Sequence, residues 1–167
     1  MQEGILTLAS AWFIAGQGIA AASDAVRMRI PNALILYLLA GAALCAALAG
    51  PGWLDLAARM AVGLSVLAGG LILFSKGWMG GGDVKLLAVT ALWLGPAATP
   101  GLLILTALGG GILTLALIVA RAFGAGRLAG HRIAALRDPM DRVPYGIAIA
   151  AAAIAIALLR PEALLMG

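Results

Sequence analysis

Two aspartates, Asp24 and Asp83, stand where apolar runs meet polar residues, and each has a setting that chemistry could use. Asp83 belongs to the string Gly77-Trp78-Met79-Gly80-Gly81-Gly82-Asp83-Val84-Lys85, which lies between two apolar runs. A charge at the centre of a membrane helix costs about 2.5–3.5 kcal/mol on insertion scales, so a carboxylate at the mouth of such a run asks for a reason. Gly80, Gly81 and Gly82 suggest one. Without Cβ atoms they let another backbone come close to Asp83, which makes them the candidate substrate-binding stretch. Asp24 ends the first apolar run. Two carboxylates brought together do not both ionise easily and can hold one proton between them. The charged member can then draw a proton from water while the protonated member polarises a carbonyl. Such a pair hydrolyses a peptide bond with no metal, cofactor, serine or cysteine, and none is expected here.

The other candidates have plainer accounts. Glu3 and Glu162 lie near the two ends, Asp55 has Arg59 four residues on, and Asp138 and Asp141 sit among arginines. All five read as solvated or paired. Asp24 and Asp83 have a competing account as helix-end carboxylates, Asp24 paired with Arg27 or Arg29 and Asp83 favoured by the positive end of its helix. As a pair at one depth they point instead to function. His131, the one histidine, lies in a basic loop with no second ligand type nearby and reads as solvated. Lys85 is about 200° round a helix from Asp83, so it is expected to reach the headgroups rather than pair with that carboxylate. Cys45, the one cysteine, reads as a small buried hydrophobe.

The elements that must position this chemistry follow from composition. The 167 residues are 63% hydrophobic and only 11% charged, with a mean hydropathy of +1.08. Soluble chains carry about 25% charged residues, so the expected fold is an all-α, polytopic membrane protein in one domain of about six transmembrane helices. The apolar runs are 5–23, 33–49, 56–75, 84–94, 101–120 and 143–159. No lysine or arginine precedes the first, so it is expected to be a retained span rather than a secretory signal. Pro31 turns the chain after it, and Gly50-Pro51-Gly52 breaks the second run. Trp53 is placed at headgroup level. The fourth run is shorter than the roughly 20 residues a crossing needs. It can cross only if the glycine string or Gly95-Pro96 also lies at membrane depth, buried in protein. With six crossings, alternate loops share a side. One set holds Arg27, Arg29, Lys76, Lys85, Arg121, Arg127, Arg132, Arg137 and Arg142; the other holds Arg59 and Arg160. The positive-inside rule then puts the first set in the cytoplasm and both termini outside. The net charge of +4 reads as topology and not as nucleic-acid binding. Asp24 and Asp83 fall on the same, cytoplasmic, face.

These residues also resemble a known family. Gly80-Gly81-Gly82-Asp83 is similar to the Gly-x-Gly-Asp motif of intramembrane aspartic proteases. The longer Gly77-x-x-Gly-x-Gly-Asp-x-Lys-Leu resembles the prepilin peptidase (type IV leader peptidase) family in particular. So do Asp24 followed by Arg29-Ile30-Pro31-Asn32, and Pro144-Tyr145-Gly146 at the last span, where presenilin-type enzymes carry Pro-Ala-Leu. The resemblance covers nearly the whole chain. It implies that Asp24 and Asp83 are catalytic and cut the basic leader of prepilin-like precursors at the cytoplasmic face of the inner (plasma) membrane. Arg29, Pro31, Asn32, Gly77, Lys85, Pro144, Tyr145 and Gly146 carry the supporting motifs. Arg27-Met28-Arg29 departs from the paired arginines common there, which does not touch the aspartates. Many members add a cytoplasmic methyltransferase domain with zinc-binding cysteine pairs. This sequence has no such pairs and resembles the compact, peptidase-only form of tight-adherence (Flp-type) pilus systems and archaeal preflagellin peptidases.

The implied partners are prepilin precursors and membrane lipid, with no nucleic acid. The main alternative is a proton- or cation-coupled transporter using Asp24 and Asp83, against which stands the lack of a convincing repeat between the halves. A structural subunit, or a Gly-x-Gly-Asp protease cutting within a span, are further alternatives.

Overall fold

A computed structural model describes residues 2–122 and 143–164. Every element among them is helical: α1 (Gln2–Arg27), α2 (Asn32–Ala49), α3 (Trp53–Ser75), α4 (Gly81–Ala122), α5 (Tyr145–Leu159) and a closing 3-10 turn, Pro161–Leu164. The basic loop with His131, Arg127, Arg132, Arg137, Asp138, Asp141 and Arg142 lies outside the described residues.

The turns fall where backbone chemistry requires them. α1 carries Asp24 within its last turn and ends at Met28, which takes a left-handed φ of 52°; Pro31 then precedes the first residue of α2. α2 ends on Gly50 at φ 62°, whose N–H returns to the Ala46 carbonyl at 3.0 Å. Glycine reaches this conformation without the Cβ penalty. Gly77 does the same after α3, at φ 72°. The N–H of Gly77 bonds to the Phe74 carbonyl at 2.9 Å and that of Trp78 to Leu73 at 3.0 Å, which closes the helix end.

Helices α1 to α4 are each long and apolar enough to cross a membrane. Their outer faces leave Leu36, Leu64, Ile72, Leu108 and Ile112 more than half exposed, a surface for lipid rather than water. This is an all-α membrane protein. The six apolar runs of the sequence do not all appear as separate helices. The fourth and fifth are joined in α4, and α5, an apolar helix of 15 residues, is shorter than the four candidate spans among the described residues.

The joint in α4 is nevertheless a reversal. Gly95 has φ 75° and ψ 176°, outside the helical region. Before it, α4 runs antiparallel to α3, with Val84 against Gly70 and Leu92 against Gly63. After it, Gly101 faces Ile156 and Gly110 faces Tyr145, so the chain returns to the end at which α4 began. Pro96, just past Gly95, has no N–H to leave unpaired at a helix start. The broken backbone finds partners inside the protein, as lipid demands. Arg59 donates to the Trp93 carbonyl at 2.6 Å, and the Thr99 hydroxyl to the Gly95 carbonyl at 2.7 Å. The expected Asp55–Arg59 pair forms at 2.8 Å. Arg59 is more than a loop charge, however, because it is buried and also bonds the Ala163 carbonyl at 3.1 Å.

The core lies between α1, α2, the first half of α4, and α5, around Phe13, Leu38, Trp93 and Ile149. Phe13 and Trp93 have ring centroids 5.3 Å apart, and the Trp93 indole N–H donates to the Leu38 carbonyl at 2.9 Å. Cys45 is buried there, as expected. α3 packs mainly on α4.

Candidate active site

Three helix ends meet at one end of the bundle: the last turn of α1 and the first turns of α4 and α5. Asp24 comes from the first, Asp83 from the second and Pro144-Tyr145-Gly146 from the third. Asp24 is 4% exposed, and the Gly146 N–H donates to its Oδ2 at 2.8 Å. The backbone of Gly146 also faces the Asp83 carboxylate, as does that of Gly80. Asp83 stands close enough to Asp24 to feel its charge. One peptide group, 122 residues from Asp24 in sequence, thus stands between both carboxylates.

The reason is the start of α5. The first N–H groups of a helix have no partner within it and carry its positive partial charge. Proline is suited to a helix entrance because it lacks an N–H, and Pro144 is buried there. Gly146 follows from distance: a Cβ on it would lie 2.7 Å from Asp24 Oδ2 and 3.0 Å from Ile30 Cδ1. The pairing of Asp24 with Arg27 or Arg29 that the competing account supposed is not what holds it. Among the described residues the ion pair found is Asp55–Arg59, at the other end of the bundle.

A cavity of about 1010 Å³ opens over the pair. It is lined by Asp24, Asp83, Gly77, Gly80, Gly81, Gly82, Arg29, Pro31, Asn32 and Tyr145 of the residues singled out in the sequence. Pro144 and Gly146 stand behind this lining. The glycines serve the protein itself as well as the space. A Cβ on Gly80 would lie 2.7 Å from Asp83 Oδ2, on Gly82 3.1 Å from Ile30 Cβ, and on Gly81 3.3 Å from the Phe74 ring. Lys85, expected at the headgroups, donates to Asn32 Oδ1 at 3.0 Å and ties the start of α4 to that of α2.

The sequence reading missed several lining residues. Ser23 bonds the Arg29 carbonyl at 2.7 Å and fixes the turn after Asp24. Phe74, Trp78 and Met79 form an apolar wall. It also missed Gln17, fully buried and bonded to Thr90. An amide in an apolar run, seven residues before Asp24, was the signal.

Fold and cavity together define a multi-pass helical membrane protein that holds two carboxylates at the mouth of its bundle. The type IV leader peptidase family matches residues 11–115, which takes in most of α1, all of α2 and α3, Asp83 and most of α4. The chain belongs to this family and is a peptidase. No curated protein and no solved structure matches it.

Proposed function

We propose that this peptidase is an aspartic endopeptidase that removes the leader from prepilin-like precursors, with Asp24 and Asp83 as its catalytic pair. The observation that carries this reading is the meeting of the two carboxylates across the Gly146 backbone beneath an open cavity. One carboxylate takes the proton of an attacking water, and the other, protonated, donates to the scissile carbonyl. The Gly146 N–H stabilises whichever oxygen is charged. The apolar wall of Phe74, Trp78 and Met79 accepts the start of the precursor's hydrophobic segment. The glycine string gives its extended leader a backbone to lie along.

The same reading has six crossings: α1, α2, α3, the two halves of α4, and α5. Gly95 is buried against Arg59, which lets a short half-helix end at membrane depth. Arg27, Arg29, Lys76 and Lys85 fall at the aspartate end, and Arg59 and Arg160 at the other. That distribution favours a cytoplasmic active site in the inner membrane and both termini outside. A reporter fused after Gly167 is expected to read as external and one within 124–130 as cytoplasmic. The reverse pattern overturns this orientation.

The test of the activity is co-expression with a prepilin-like precursor. A shortened product is expected from the wild-type chain and none from Asp83→Asn. Cleavage that survives in Asp83→Asn removes the aspartate pair from the mechanism.

A further inference from the structure

We infer that Gln17 is a positioning residue, whose hydrogen bond to Thr90 fixes the register of α1 against α4 that sets Asp24 opposite Asp83. The inference rests on the reading of those aspartates as the catalytic pair. Gln17 and Thr90 are both 0% exposed, and Gln17 Nε2 lies 2.7 Å from Thr90 Oγ1. Gln17 is seven residues before Asp24 and Thr90 is seven after Asp83. Seven residues are close to two helical turns, so each polar residue shares a face with its aspartate, about 10 Å along the axis. α1 climbs towards the cavity while the first half of α4 descends from it. A step of seven back along α1 is therefore matched by a step of seven forward along α4. Phe13 and Trp93 continue the series one turn deeper, with their rings in contact.

The Gln17–Thr90 pair is the polar rung of this ladder. Apolar side chains tolerate sliding, because a slipped contact still packs. A buried amide and hydroxyl do not, because a slip leaves both unpaired away from water. One polar pair among apolar contacts can fix register in this way. Gln17 Oε1 has no protein partner among the described residues, so Thr90 is the side-chain anchor the structure gives this amide. The mechanism leaves both residues unused, since neither lines the cavity.

The experiment uses the full chain in membranes with Gln17→Leu, Thr90→Val and the conservative Thr90→Ser. Register is read without catalysis, by joining Asp24→Cys to Asp83→Cys in a Cys45→Ala background with a short bifunctional thiol reagent. The cross-link is expected to form with Gln17 and Thr90 present and to fall several-fold in Gln17→Leu and Thr90→Val. In the chain with both aspartates intact, these two variants are expected to lower kcat at least ~10-fold. KM should stay near the wild-type value and the pH profile of kcat should change, while Thr90→Ser keeps most of the activity. Undiminished cross-linking in Gln17→Leu and Thr90→Val overturns the inference. So does an unchanged kcat and pH profile in both, or equal damage from Thr90→Ser and Thr90→Val. Should the wild-type chain cut no prepilin-like precursor, the proposed function fails, and the cross-link still decides the register.

Discussion

Asparagine at Asp24 or at Asp83 is expected to lower leader cleavage by about 10²–10⁴-fold, the range that a positioned acid or base contributes. The substitution keeps the size of the side chain and removes its ability to give or take a proton. At Asp24 the Gly146 N–H still finds an oxygen, the amide's, at the place where Oδ2 now sits, so the start of α5 keeps its partner. The loss should therefore fall on kcat, with membrane insertion and the level of folded protein unchanged. Asp138→Asn and Asp141→Asn should cut at the wild-type rate, and a chelator should leave the wild-type rate as it is. Initial rates in membranes at matched enzyme levels check this. Wild-type activity in either Asp24→Asn or Asp83→Asn would falsify the pair.

The second large effect is expected at a residue with no side chain. Gly146→Ala adds one methyl group, placed 2.7 Å from Asp24 Oδ2 and 3.0 Å from Asp24 Cγ. Real Cβ atoms do not approach an oxygen so closely, so either the carboxylate or the start of α5 must move. A displacement of about 1 Å can cost on the order of 100-fold in rate, and Gly146→Ala is expected to lose that much. Gly111→Ala is the control, since a Cβ there meets nothing within 4 Å. Circular dichroism of the purified variants separates a displaced carboxylate from an unfolded chain. A Gly146→Ala enzyme with wild-type kcat shows that the close approach of α5 to Asp24 does not govern the chemistry.

Particular elements show how far the sequence reaches. The apolar runs gave helices near their expected bounds because composition alone decides what lipid will accept. α1 nevertheless extends past 5–23 at both ends, since a helix continues until backbone chemistry stops it, here at Met28 and Pro31. The fourth and fifth runs show the converse. Gly95-Pro96 was legible as a break, and six crossings had the chain turn back there, but what holds the turn was not legible. The reversal depends on Arg59 and Thr99 satisfying the carbonyls that the break releases. Lys85 was read by its length and charge as reaching the headgroups; it is exposed and also bonds Asn32, a partner 53 residues away that no local pattern could offer.

The sequence by itself determined a helical membrane protein and singled out Asp24, Asp83 and the motifs around them. A charge beside an apolar run has a cost that can be read residue by residue, and glycine and proline mark backbone conformations that are equally local. Tertiary structure alone decided what those residues do to one another. It carried the start of α5 to Asp24, put the Gly146 peptide between two carboxylates, and stacked Gln17 on Thr90 beneath them. Each of these is a contact between helices distant in sequence, fixed by packing and by the need to pair polar groups away from water. Pattern and composition carry no record of such distances.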